Sequence, residues 1–224
     1  MKPVAIIPAR GGSKRLPRKN VLPLGGKPLL GRVIDCCQAS KLFSKIIVST
    51  EDDEIAEIAK AADAFVYNRS HSLAEDRSTV AEVCEDVLLN GNYDLFCCVY
   101  ATAALLKPGT LRSSFELFET SRNANVVMGV SSYNYSPAQA LKVDSNASAE
   151  LLLPHYLGVQ SQFQPKFRVS NGTFYWGRKD SFLIEKTFYS NNLFVFDVPE
   201  EEVCDLDTLS DYNVLLSKFS DDDL

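Results

Sequence analysis

Pro3-Val4-Ala5-Ile6-Ile7-Pro8-Ala9-Arg10-Gly11-Gly12-Ser13 decides the fold. Its first half is a short, β-branched and apolar run, which reads as a buried strand. Pro8 interrupts it, and the two glycines open a loop directly after it. A buried strand that delivers its chain into a glycine-rich loop belongs to an α/β design, with helices covering a mostly parallel sheet.

The rest of the chain follows that beginning. Pro28 to Lys41 carries Leu29, Leu30, Val33, Ile34 and Cys37 at helical spacing. Lys45 to Thr50 reads as a strand, and Asp52 to Ala62 as a helix with acidic residues in its first turn. Ala64 to Tyr67 reads as a third strand and Ser78 to Leu89 as a helix capped near Ser78 or Thr79. A strand from Leu95 to Tyr100, a helix from Thr110 to Thr120 and a strand from Asn125 to Val130 continue the alternation. Ligands in such sheets bind outside the carboxyl ends of the strands. The Arg10 loop, Ser49-Thr50-Glu51 and Tyr100-Ala101-Thr102 therefore fall along one rim.

From Ser132 to Val169 the pattern loosens around Pro137, Pro154 and Pro165, and the segment reads as an excursion from the sheet. Thr173 to Gly177 reads as an aromatic return strand, Phe194 to Val198 as another, and Asp207 to Phe219 as a terminal helix. The expectation is a single domain over residues 1–219, with 132–169 as a dimerisation or sugar-pocket element and 220–224 as a disordered acidic tail.

Composition narrows the classes. The chain has 224 residues, is 46% hydrophobic and 23% charged, and lacks any apolar run near the roughly 20 residues that span a bilayer. The Val4–Ile7 run is too short for a signal-peptide core, so a cytoplasmic protein is expected. The net charge of -6 argues against nucleic-acid binding. Yet Arg10, Lys14, Arg15, Arg18 and Lys19 crowd one stretch, which suits a small polyanion such as a nucleotide. The six cysteines include two adjacent pairs and no C-x-x-C spacing, so they read as buried hydrophobes rather than zinc ligands.

Chemistry concentrates in five segments. In Ile7-Pro8-Ala9-Arg10-Gly11-Gly12-Ser13-Lys14-Arg15-Leu16-Pro17-Arg18-Lys19-Asn20, glycines allow close approach to phosphates, cations neutralise them, and Asn20 offers a donor and an acceptor to a base edge. The pattern is neither G-x-x-x-x-G-K-[ST] nor G-x-G-x-x-G. The other four are Arg69 to Thr79, Cys97 to Leu105, Asn171 to Gly177, and Val203-Cys204-Asp205-Leu206-Asp207-Thr208. In the last, two carboxylates one residue apart on extended chain share a face and suit Mg²⁺, a hard cation that prefers oxygen.

The first string resembles the signature of the sugar-acid cytidylyltransferases, the family of CMP-N-acetylneuraminate synthetases, and Gly25-Gly26-Lys27-Pro28-Leu29 follows as in sugar nucleotidyltransferases. The resemblance runs from Ile6 to Asp211. It implies a three-layer α/β/α nucleotidyltransferase fold, Rossmann-like and glycosyltransferase-A-like. It implies that Ala9, Arg10, Gly11, Gly12, Ser13, Lys14, Asn20, Arg69, Ser78 and Thr79 hold CTP, with Asn20 toward cytosine. It makes Asp205 and Asp207 the Mg²⁺ ligands, and Asp207, Lys14 and Arg10 the catalytic residues.

Tyr100-Ala101-Thr102-Ala103 and Phe174-Tyr175-Trp176-Gly177 resemble one branch, the pseudaminic acid cytidylyltransferases. On that resemblance the sugar meets Tyr100, Ala101, Thr102, Gln160, Ser161, Gln162, Asn171, Phe174, Tyr175 and Trp176. Departures exist: Ser70 replaces a proline, Gln160 an arginine, and Asn171-Gly172 looks more like the neuraminate enzymes. The expected activity is CMP transfer from CTP to a nine-carbon acidic sugar, pseudaminate first, with neuraminate, legionaminate or 3-deoxy-manno-octulosonate as alternatives. A non-catalytic nucleotide sensor is the remote alternative. A homodimer is the expected state, and no membrane or nucleic-acid partner is expected.

Overall fold

The structure is a computed structural model and describes residues 2–219; the expected disordered tail at 220–224 lies outside them. The chain opens with β1 (Val4–Pro8), a tight hairpin of β2 (Pro23–Leu24) and β3 (Lys27–Pro28), and α1 (Leu29–Ser40). Then come β4 (Lys45–Thr50), α2 (Asp53–Ala61), β5 (Phe65–Asn68), α3 (Val80–Leu89), β6 (Leu95–Val99), α4 (Pro108–Thr120) and β7 (Val126–Ser132). A small hairpin, β8 (Leu141–Val143) and β9 (Ala149–Leu151), lies in the excursion. The chain returns through β10 (Arg168–Arg178), α5 (Lys179–Glu185), β11 (Leu193–Asp197) and α6 (Leu209–Lys218).

Seven strands form one sheet in the order β11-β7-β10-β6-β1-β4-β5. All run parallel except β10, which pairs antiparallel with both β6 and β7. The strand read from Pro3 to Pro8 is thus an interior strand, flanked by β4 and β6.

Its burial on both faces follows from alternation. Ala5 and Ile7 face a core shared with Leu30 and Ile34 of α1, Ile55 of α2 and Phe118 of α4. Val4 and Ile6 face the other core, with Val87 and Leu88 of α3 and Phe182 of α5. Three layers result, with two cores on opposite faces of one sheet.

Local chemistry sets the helix starts. Asp52 caps α2 by accepting from Ile55 N–H, and Thr79 forms a capping box with Glu82 at α3. Pro108 opens α4, where its missing N–H leaves no partner wanting. The adjacent cysteines behave as read: Cys36, Cys37, Cys97 and Cys98 are buried free thiols, as is the lone Cys84, while Cys204 is partly exposed.

Candidate active site

β1, β4 and β6 are neighbours, so the loops after them share one rim of the sheet. The Arg10 loop, Thr50-Glu51 and Tyr100-Ala101-Thr102 meet there as the alternation implies. Between them and the start of α3 lies a cavity of about 210 Å³. Of the sequence-predicted residues, Arg10, Asn20, Arg69, Ser78, Thr79, Tyr100, Ala101 and Thr102 line it. Lys14, Gly12 and Asp76 line a shallower depression of about 430 Å³.

The loop cations are already paired. Arg10 donates to Asp76 Oδ1 at 3.0 Å, and Lys14 lies 2.5 Å from Asp76 Oδ2. The Lys14 contact and then Arg10 hold the Asp76 carboxyl below the usual range. Arg15 lies 2.7 Å from one Asp207 oxygen, and Lys19 lies 3.3 Å from the other. Lys19 also donates to Leu206 O at 3.0 Å and lines the cavity, so it joins the glycine-rich loop to the Asp205–Asp207 segment. Its position was missed, although it sits in the quoted string.

Arg18 adopts a left-handed conformation, φ 58°, and donates to Asp52 and Glu54. Gly11 lies flush against that clasp: a Cβ there would come within 2.2 Å of Asp52 Oδ2. Asn20 is buried, and its amide donates to Arg10 O at 2.9 Å, fixing the loop from beneath.

The expectation that Ala9, Gly11 and Ser13 of the loop hold CTP meets the loop's own hydrogen bonds. The loop does not present a run of free backbone amides. Ala9 is buried and its N–H extends the sheet to Ser49 O; Gly11 N–H is taken by Glu51 and Ser13 N–H by Gly11 O. The strand ladder simply continues one residue past Pro8, and the Glu51 carboxylate takes the Gly11 amide. The Ala9, Gly11 and Ser13 amides are thus engaged within the protein itself.

Asp205 and Asp207 flank Leu206, which is buried with Leu16, Leu24, Leu29 and Leu215. That anchor leaves the two carboxylates turned away from the packed side. Asp211 accepts from Asp207 N–H at 3.0 Å and from Thr208 N–H at 2.7 Å, starting α6 and fixing Asp207. Just upstream, buried Glu202 accepts from Lys107 N–H and Thr110 Oγ1, both at 2.8 Å, and ties this segment to the start of α4. Partial loss of solvent and then the Asp207 charge push the Asp205 carboxyl up. Two oxygen donors of this kind could hold a hard cation that takes only one or two carboxylates.

The aromatic strand is a second correction. Trp176 is fully buried on the α4 face, stacked on Phe43 at 5.5 Å, with its indole N–H donating to Ser114 Oγ at 2.9 Å. Phe174 is fully buried in the same core. Neither ring is available to a sugar, because successive large rings in a central strand fill the two cores. Tyr175 points to the other face, meets Tyr100 edge-on at 5.8 Å and shares a 2.7 Å hydrogen bond with Ser170. It reaches the cavity only through Tyr100. Burial first, then neighbouring groups, push the Tyr100 phenol well up, so it serves as a neutral hydroxyl.

Asn171 sits in an irregularity of β10, its side chain bonded to Ser131 and Thr173, with Gly172 at φ 65°. Ser161 and Gln162 belong to an exposed 3-10 turn, Ser161–Phe163, that Gln160 precedes, in the excursion and outside the cavity lining. Lys142 pairs with Glu150 and Arg168 with Asp197.

Residues 4–215 match the family described as Cytidylyltransferase. A pseudaminic acid cytidylyltransferase of Campylobacter jejuni is 32% identical, over 94% of this chain and 93% of its own length. An N-acylneuraminate cytidylyltransferase of Streptococcus agalactiae is 29% identical over 95% of this chain, which spans 52% of that protein. The solved structure of a CMP:2-keto-3-deoxy-manno-octonic acid synthetase complexed with CTP superposes with a TM-score of 0.72 at 16% identity, covering 97% of this chain and 98% of that one, and so shares the fold.

Proposed function

The chain belongs to the cytidylyltransferase family, and on that premise we propose that it is the enzyme that transfers CMP from CTP to the anomeric hydroxyl of pseudaminic acid, releasing pyrophosphate. The observation that carries the choice of acid is the near full-length likeness, 93% of the relative's own length, to a pseudaminic acid cytidylyltransferase. The Tyr100-Ala101-Thr102 turn at the cavity agrees with that branch.

CTP lies along the rim, its base and ribose in the cavity between Asn20, Arg69 and Ser78, its phosphates toward Arg10, Lys14 and Lys19. On binding, the phosphates take over Arg10 and Lys14 from Asp76. These cations stabilise the charge that builds on the departing pyrophosphate. Asp205 and Asp207 are the residues that would hold Mg²⁺, which when bound would supply positive charge at the phosphates. The sugar hydroxyl attacks the α-phosphorus, the bond to the β-phosphate oxygen breaks, and Asp207 accepts the hydroxyl proton. Lys19, held to Leu206 O and Asp207, keeps the two halves of the site in register.

The excursion between β7 and β10 carries exposed apolar side chains, among them Tyr135 at 86%, Leu157 at 76% and Phe163 at 75%. This supports a homodimer contact through that segment, with Gln160, Ser161 and Gln162 near a shared sugar pocket. No helix among the described residues is long and apolar enough to cross a membrane.

Mass spectrometry of the product formed from CTP, Mg²⁺ and pseudaminate tests the proposal. A CMP-sugar should form with the native chain and fall by about 100-fold or more in Asp207→Asn, on the usual scale of a lost general base. Near-native turnover in that variant contradicts the role given to Asp207.

A further inference from the structure

Glu51 stands at the end of β4 with its side chain 12% exposed, and it is claimed from two sides. Oε1 accepts the Gly11 N–H at 2.9 Å. Oε2 accepts Nε of Arg69 at 2.9 Å and its Nη2 at 2.8 Å. Arg69 follows β5 and is almost wholly buried, its side chain 3% exposed, while it lines the cavity. A guanidinium so far from water requires a counter-charge, and Glu51 is the carboxylate paired with it. One carboxylate therefore ties the loop after β1, the end of β4 and the residue after β5 into a single unit.

We propose that Glu51 is a positioning residue for CTP: it presets the Arg69 guanidinium and the glycine loop together before the nucleotide arrives. The inference rests on the cytidylyltransferase reading of the cavity. Glu51 need not touch the reacting atoms. With its charge neutralised by Glu51, Arg69 presents fixed N–H groups to the cavity rather than a loose cation. The Gly11 bond draws the loop against β4 and leaves Arg10 beside the cavity mouth. Preorganisation of this kind appears in nucleotide affinity, because a floppy loop and a wandering guanidinium must otherwise be ordered at binding.

Glu51→Gln tests this with nearly constant shape. Its Oε1 still accepts from Gly11, but its amide cannot serve two Arg69 donors. CTP binding by calorimetry without any sugar acid should weaken about tenfold, the scale of a lost charge-assisted hydrogen bond. The KM for CTP should rise in parallel, while kcat and the KM for the sugar acid stay within about twofold, since a general loss of structure would move all three. If the glutamine variant fails to fold, Glu51→Asp keeps the charge beside Arg69 but withdraws it from Gly11. A weakening of about threefold is then expected for one displaced hydrogen bond. Native CTP affinity in the folded variant, or equal shifts in both KM values, overturns the proposal. Native enzyme measured alongside separates the failures. If it binds no CTP, the function reading and this inference fall together; if it binds CTP and Glu51→Gln binds equally well, only this inference falls.

Discussion

Asp207 lies close enough to Asp205 that its charge, after the loss of solvent around Asp205 itself, holds the Asp205 carboxyl above the ordinary carboxylate range. A group whose folded value exceeds its unfolded one binds more protons when folded. Its contribution therefore falls as pH rises through that window, and at neutral pH it opposes folding. Solvent screening keeps the effect small. Asp205→Asn should raise the melting temperature of the metal-free protein by about 1–2 °C and abolish the further rise that Mg²⁺ with CTP gives the native chain. Scanning calorimetry with and without both ligands checks this; an unchanged Mg²⁺ response removes Asp205 from the metal site.

Asp52 carries two duties, capping α2 and pairing with Arg18 at 2.5 Å. The Arg18 hydrogen bond is the main cause that lowers its carboxyl. Its stabilisation is present above the unfolded carboxylate value, about 3.9, and is lost as pH falls through the lower folded value. Asp52→Ala should cost about 1–2 kcal/mol at pH 7, with the gap from the native chain narrowing as the pH falls through the lowered Asp52 value. Urea titrations at pH 7 and at successively lower pH measure it.

Trp176→Phe keeps an aromatic ring in the core but removes the N–H donated to Ser114 and leaves that hydroxyl short of a partner. A loss of about 1–3 kcal/mol is expected, with the KM for the sugar acid unchanged. A stable variant with impaired sugar binding would restore the sequence-based assignment of Trp176 to the substrate.

The thiols give a direct test of the packing. Burial pushes Cys36 up to about 12 and also holds Cys37, Cys97 and Cys98 well above the ordinary thiol value. Only Cys204 is partly exposed, and desolvation raises it as well. Titration of the native protein with a thiol-specific disulfide reagent at pH 8 should modify Cys204 slowly and spare the other five until denaturant is added. Rapid modification of a second thiol contradicts the two-sided core.

Period and punctuation carried most of the fold. The run from Lys45 to Thr50 is a strand to the residue, because β-branched Ile46, Ile47 and Val48 fill its middle and it pairs on both sides. The helix read from Thr110 begins two residues earlier, since Pro108 is a favoured opener that spacing alone does not reveal. The β8–β9 hairpin stayed hidden, because Leu141 and Val143 are exposed and leave no buried face to mark a strand.

In the site, the rim was legible because strand ends and basic loop lie close in sequence. Glu51 and Asp76 were not given roles, because a carboxylate's partner depends on which strands become neighbours. Trp176 was misplaced for the converse reason: a ring in a motif looks the same whether it faces a ligand or a core.

Pyrophosphate release with CTP and Mg²⁺ across pseudaminate, neuraminate, legionaminate and 3-deoxy-manno-octulosonate tests the central claim most directly. Release with pseudaminate, well above the other three, is the predicted result. Folded protein that binds CTP yet releases no pyrophosphate with any of the acids would contradict it.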